Sequence, residues 1–207
     1  GSDAPPDLVT VGEYANVMAI VIEALGYGPN GIGPVDVFGG HTGSVIGTEL
    51  AITHPDMVRK IAYPSVALFS DEQKTMMMQR FGGPPGYFTD PDFIGSTYKQ
   101  TVLDGNPELG PERRLELFTE RLRSGMKAWY APEAVMSYDA AGQLKKLTQP
   151  ALVLVLDDML AENTRLAGEL IPNSILVEMT HIPHALAWDV HAAEIAKAAR
   201  FFFDAAL

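Results

Sequence analysis

Apolar positions recur along this chain with two different periods, and the two alternate. After Thr10-Val11-Gly12-Glu13, apolar residues at Tyr14, Val17, Met18, Ile20, Val21 and Leu25 follow the 3.6-residue period of a helix. Thr10 and Glu13 form a capping box, in which hydroxyl and carboxylate each satisfy a free backbone amide. Gly26, Gly28 and Pro29 end the helix. Val35 to Phe38 reads as a short strand running into Gly39-Gly40-His41-Thr42-Gly43. A second helix is expected from Ser44 to about Thr53, and a strand over Lys60 to Tyr63. Ala151 to Leu156, after Pro150, is a near-continuous apolar run of the kind buried on both faces of a sheet. A helix over Thr164 to Leu170, a last strand over Ser174 to Met179 and an amphipathic helix over Ala192 to Phe203 close the chain. Strand and helix patterns in alternation predict an α/β architecture with a parallel sheet and crossover helices.

The stretch between these regions has a different character. From Ser65 to Thr148 it is rich in methionine (Met76, Met77, Met78, Met126, Met136), aromatics and turns such as Gly82-Gly83-Pro84-Pro85-Gly86. Pro111 is suited to the first turn of a helix that would bury Leu115, Phe118 and Leu122. This divides the chain into a core, residues 1–64 and 149–207, and an inserted helical cap, residues 65–148.

Composition narrows the function classes. Of 207 residues, 47% are hydrophobic and 20% charged, as in a packed globular protein. The net charge of −11 and a pI near 4.8 make nucleic acid or an anionic membrane surface unsuitable partners. No apolar run is long enough for a membrane span, and a cytoplasmic location is expected. The chain has no cysteine, so disulfide and thiolate chemistry are excluded.

Chemistry concentrates in three places. Gly39-Gly40-His41-Thr42-Gly43 is a glycine-rich bend between a strand and a helix. Asp157 and Asp158 follow the apolar strand, and His181-Ile182-Pro183-His184 follows the last one. The segment Val35–Ala51 resembles the nucleophile elbow of the α/β-hydrolase family, whose pattern is strand, G-x-S-x-G, helix. In the ungapped match, His41 takes the place of the serine. A one-residue shift would put Thr42 there, but His tolerates the positive φ of the elbow better than β-branched Thr. The stretch from Ser137 to Pro150 is similar to the family's return from cap to sheet.

The resemblance implies a doubly wound, mostly parallel sheet of the α/β-hydrolase type, this chain supplying its C-terminal portion, strands 5–8. It implies a triad acid at Asp158, with Asp157 as the alternative, and a catalytic histidine at His184, with His181 as the alternative. His184 would pair with Asp158, and the Thr42 backbone N–H would serve as an oxyanion donor. His191 is expected at the surface or capping the last helix. The implied activity is hydrolysis of a small, largely apolar ester or acyl compound, with the cap supplying an adaptable pocket. Two alternatives remain open, because histidine stands at the nucleophile's place. One is a cofactor-independent dioxygenase or lyase using the His–Asp pair as base. The other is a silent member that binds ligand without turnover. No cofactor or metal is expected: His181, His184 and His191 with Asp157 have H-x-x-H spacing, but on a loop without helical register.

Gly1-Ser2-Asp3-Ala4-Pro5 resembles the loop after the family's fourth strand. The Val35 strand would then pair with a strand not contained in this chain, leaving an open apolar edge. The expected partner for that edge is an N-terminal segment of the same protein; a homo-oligomer is the other expectation.

Overall fold

A computed structural model describes residues 10–83, 86–123 and 125–206, apart from the side chains of Phe81 and Tyr87. The Gly1–Pro5 resemblance and Pro84-Pro85 therefore lie outside the described residues. Strands β1 (Val35–Phe38), β2 (Val58–Pro64), β3 (Ala151–Asp157) and β4 (Ser174–Pro183) form one parallel sheet in the order β1-β2-β3-β4. The helices are α1 (Val11–Ala24), α2 (Thr42–Thr53), α3 (Asp71–Phe81), α4 (Phe93–Tyr98), α5 (Pro111–Arg123), α6 (Tyr130–Ser137), α7 (Ala140–Leu144), α8 (Ala161–Leu170) and α9 (Ala192–Asp204). A π-turn, Lys99–Leu103, continues α4. The segment from α3 to α7 is entirely inserted between β2 and β3.

Local sequence explains most boundaries. Thr10 accepts from the Glu13 amide, and the Glu13 carboxylate accepts from the Thr10 amide, which starts α1 as the capping box requires. Ser70 and Gln73 do the same for α3. Gly26, at φ 83°, lies just past the end of α1, where a left-handed residue turns the chain away.

The two-residue period of the strands creates two cores. Ile61, Tyr63, Ala151 and Val153 face α1, α2, α7 and α8, where Val11, Ala15, Val45, Leu144 and Ala167 pack against them. Ala62, Leu152, Leu154 and Leu156 face the other side, where Ile195 and Phe202 of α9 cover them. Helices on both faces explain why β3 is apolar throughout: Ala151 to Leu156 are all buried. Two polar exceptions are satisfied. The buried Tyr63 hydroxyl bonds Thr48 Oγ1 at 2.8 Å, and burial pushes its pKa up. Lys60 is 2% exposed and donates to the carbonyls of Phe202, Phe203 and Ala205 at the end of α9. A cation there answers both the free carbonyls and the negative end of the helix dipole.

Helix α5 corrects one expectation. Phe118 is buried, edge-on to Tyr98 at 5.5 Å, but Leu115 is 46% exposed and Leu122 only half-buried. The helix meets the short Phe93–Leu103 segment, which is narrow enough to cover one stripe centred on Phe118 and no more.

Leu154→Ala is therefore expected to cost about 2–5 kcal/mol of stability through its cavity, whereas Leu115→Ala should cost less than about 1 kcal/mol. Urea unfolding monitored by circular dichroism separates the two.

Candidate active site

The carboxyl ends of the strands bring His41, Ser65, Asp158 and His184 together. His41 ends the β1–α2 bend with φ 50° and ψ −119°, and Thr42 is the first residue of α2. The imidazole, not the Thr42 hydroxyl, thus occupies the tip. Glycine is needed at two positions of this bend. A Cβ on Gly39 would lie 2.4 Å from the Gly43 carbonyl oxygen, and one on Gly40 would lie 2.5 Å from that of Pro64. A Cβ on Gly43 would meet nothing within 4 Å, so the last glycine of the pattern is not required by close packing. The bend is tied down from behind: Ser44 Oγ donates to the His41 carbonyl at 2.6 Å and accepts from the Ala67 amide at 3.0 Å.

Ser65 mirrors His41. It follows β2, is fully buried and also has positive φ, 64°. The His41 amide donates to the Ser65 carbonyl at 2.8 Å. Their side chains then converge on one atom. His41 Nε2 is 3.2 Å from Asp158 Oδ2, and Ser65 Oγ donates to the same oxygen at 2.5 Å. The Leu160 amide donates to Asp158 Oδ1 at 2.7 Å. The Asp158 side chain is 7% exposed and that of His41 39%.

His184 follows β4 and is part of the same cluster, but its expected hydrogen bond to Asp158 is corrected. Among the described residues the carboxylate bonds the His41 imidazole instead. The His184 ring lies over His41, centroids 4.3 Å apart and planes tilted by 34°, with Trp188 edge-on at 5.9 Å on its other side. Phe38 continues the row, 5.9 Å from Trp188. Burial and the neighbouring His41 push the His184 pKa below the usual histidine value, outweighing the opposite pull of Asp158. His184 is therefore neutral at neutral pH.

The alternatives lie elsewhere. Asp157 is exposed at the end of β3. His181 is exposed and bonds Glu194 at 2.8 Å; His191, just before α9, is 3.9 Å from the other Glu194 oxygen. The His181, His184, His191 and Asp157 set is thus not assembled. A groove between α3 and α6 of the inserted segment is lined by Met78 and Met136 with Lys74 and Glu133.

Sequence reasoning misses Ser65, Trp188 and Ser44. For Ser65 the available signal is its place just beyond a strand's carboxyl end, where sites gather in open α/β sheets. Trp188 carries no local signal, since a tryptophan after a last strand is equally at home in a core.

The whole backbone resembles solved structures over nearly its full length. A bromoperoxidase from Bacillus anthracis matches with TM-score 0.77 and 18% identity, over 99% of this chain and 78% of that one. An enol-lactonase from Burkholderia xenovorans matches with TM-score 0.73 and 18% identity, over 98% and 76%. MenH from S. aureus matches with TM-score 0.74 and 12% identity, over 99% and 79%. The chain has the α/β-hydrolase fold. No protein-family model matches the sequence, and no curated protein matches it. The β1–α2 bend carries an imidazole at positive φ at the start of α2.

Two outcomes follow. Gly40→Ala should lower stability by about 2 kcal/mol or more, whereas Gly43→Ala should cost about 1 kcal/mol or less; both are read from urea midpoints. His184 gives a pH signature. Its folded pKa lies below its unfolded value of 6.5, so the unfolded chain binds the proton first as pH falls. Stability should thus decline as pH drops through 6.5, and His184→Gln should flatten that decline. A His184 ring NMR titration with its midpoint at or above 6.5 would contradict this.

Proposed function

We propose that this α/β-hydrolase-fold chain is a hydrolase of a small, largely apolar ester or related acyl compound. The observation carrying the proposal is the bond from the elbow imidazole to a buried carboxylate, His41 Nε2 to Asp158 Oδ2 at 3.2 Å. A carboxylate partner fixes the tautomer with the proton on Nε2 and leaves Nδ1 as the lone-pair atom that can accept a proton. Water gives a proton to Nδ1 while its oxygen bonds the acyl carbon. The carbonyl electrons move onto oxygen, and the developing charge is met by the Thr42 amide at the N-terminus of α2. Collapse of the tetrahedral adduct expels the alkoxide, which recovers the proton from His41. No acyl-imidazole need form, and the absent serine is not required.

The proposed role of Ser65 is to hold Asp158 in place through Oγ. Neutral His184 would pack its ring against His41 without adding a charge beside it. Trp188 and Phe38 offer an apolar wall beside the imidazoles, which supports an apolar acyl or alkyl group on the substrate. Residues 65–148 would serve as the cap over this site. Hydrolases and a lactonase among the structural neighbours fit this class, though their own substrates are not carried over at such low identity.

A second reading uses the same base without water attack: abstraction of a substrate C–H or O–H proton in a cofactor-independent lyase or dioxygenase reaction. The observation favouring it is that the elbow carries a base where a nucleophile would stand.

His41→Ala and Asp158→Asn should each lower kcat for short-chain aryl ester hydrolysis about 10²–10⁴-fold, the usual contribution of a positioned base. His181→Ala should leave it unchanged. If wild type shows no ester hydrolysis and His41→Ser acquires it, the second reading or a binding-only role replaces the first.

A further inference from the structure

The same cluster has a property that base catalysis does not use. His41, Asp158 and His184 each present one ligand atom, and the three atoms lie within 4.8 Å of one another. We propose that these three side chains form a binding site for one divalent transition-metal ion of the zinc class.

The distances suit such an ion. Bonds of about 2.0–2.1 Å from a metal to an imidazole nitrogen and a carboxylate oxygen, opened by about 100°, place the two ligand atoms about 3.2 Å apart. That is the separation of His41 Nε2 and Asp158 Oδ2. The remaining atom, on His184, needs to be about 3.4 Å from each for tetrahedral geometry, and its 4.8 Å ceiling leaves at most a small ring movement. The two ring centroids are 4.3 Å apart, so His184 must turn its edge nitrogen toward the ion.

The donor set selects the ion. Two imidazole nitrogens and one carboxylate oxygen suit Zn²⁺, Co²⁺ or Fe²⁺, while Mg²⁺ and Ca²⁺ favour all-oxygen sites. The carboxylate has its outer partners in place: Ser65 Oγ and the Leu160 amide both donate to it, as outer hydrogen bonds orient metal ligands elsewhere. Three protein ligands leave a fourth position for solvent or a substrate oxygen, the arrangement of catalytic rather than structural zinc. His41 is partly exposed, so an ion can enter. The histidines that sequence spacing would have chosen, His181 and His191, instead share Glu194 at the surface and serve as internal controls.

This inference rests on the reading of these residues as the reacting centre, but not on hydrolysis. An ion on Nε2 displaces the proton that the base reading keeps there, so the two are separable. The test is a titration of chelator-treated full chain with Co²⁺, followed by visible absorption and calorimetry without any substrate. One ion per chain, with the intense absorption of four-coordinate cobalt, is expected; Mg²⁺ should not compete. Asp158→Asn and His184→Gln should weaken binding by more than the roughly 10–100-fold expected of the outer-partner change Ser65→Ala. His181→Gln should have no effect. Variants that fail to fold do not block the test. In the wild type, Zn²⁺ should shift the ring resonances of His41 and His184 and spare His54, His181 and His191. Absence of saturable binding, or shifts confined to His181 and His191, would overturn the site. Ester hydrolysis that persists without any metal binding overturns it and leaves the base reading intact, whereas metal binding without hydrolysis supports it alone.

Discussion

The site depends on two left-handed residues locked face to face. His41, at φ 50°, and Ser65, at φ 64°, end adjacent strands, and the amide of the first donates to the carbonyl of the second. Neither is glycine, so each backbone conformation costs on the order of 1–3 kcal/mol and persists only because the surroundings over-determine it. What over-determines it is steric and local. Gly39 and Gly40 let the bend press against Gly43 and the end of β2, and the Ser44 hydroxyl bridges the His41 carbonyl and the Ala67 amide. The resulting posture aims both side chains at a single oxygen of Asp158.

That convergence reassigns the carboxylate. In a serine-type triad the acid orients the histidine from the last strand. Here Oδ2 is shared between His41 and Ser65, and Oδ1 is held by the Leu160 amide. His184 is left to stack on His41, half-buried, with its pKa pushed down by that burial and by the adjacent imidazole. The carboxylate-bound imidazole of His41 is the proposed base, and with His184 the same pair is the proposed ligand set. Both proposals depend on a ring at position 41 whose far nitrogen reaches Asp158 directly.

The rest of the molecule holds these strand ends in register. Parallel pairing aligns β2 with β3 from Ile61–Ala151 to Pro64–Leu154, and the Ser65 amide extends it by donating to the Leu154 carbonyl at 3.1 Å. Apolar side chains on both faces of β3 fix the sheet between α1, α2, α7 and α8 on one side and α9 on the other. Lys60 ties the end of α9 to β2 from beneath. The inserted segment is looser: Met76 and Met126 are exposed.

Much of this was legible in the sequence because its causes are local. Capping residues at Thr10 and Glu13, the two-sided apolar run Ala151–Leu156, and the glycine bend at His41 each act within a few residues, so composition and spacing determined the strands, the flanking helices and the elbow. The structure puts His41, not Thr42, at the positive-φ position and Asp158, not Asp157, beside its ring. Only tertiary structure decided which imidazole the carboxylate would bind. His41 and Asp158 are 117 positions apart, and Ser65 and Asp158 are 93 apart. A hydrogen bond is won or lost within a few tenths of an ångström, and that margin is set by how three strand ends stack, which no local pattern encodes.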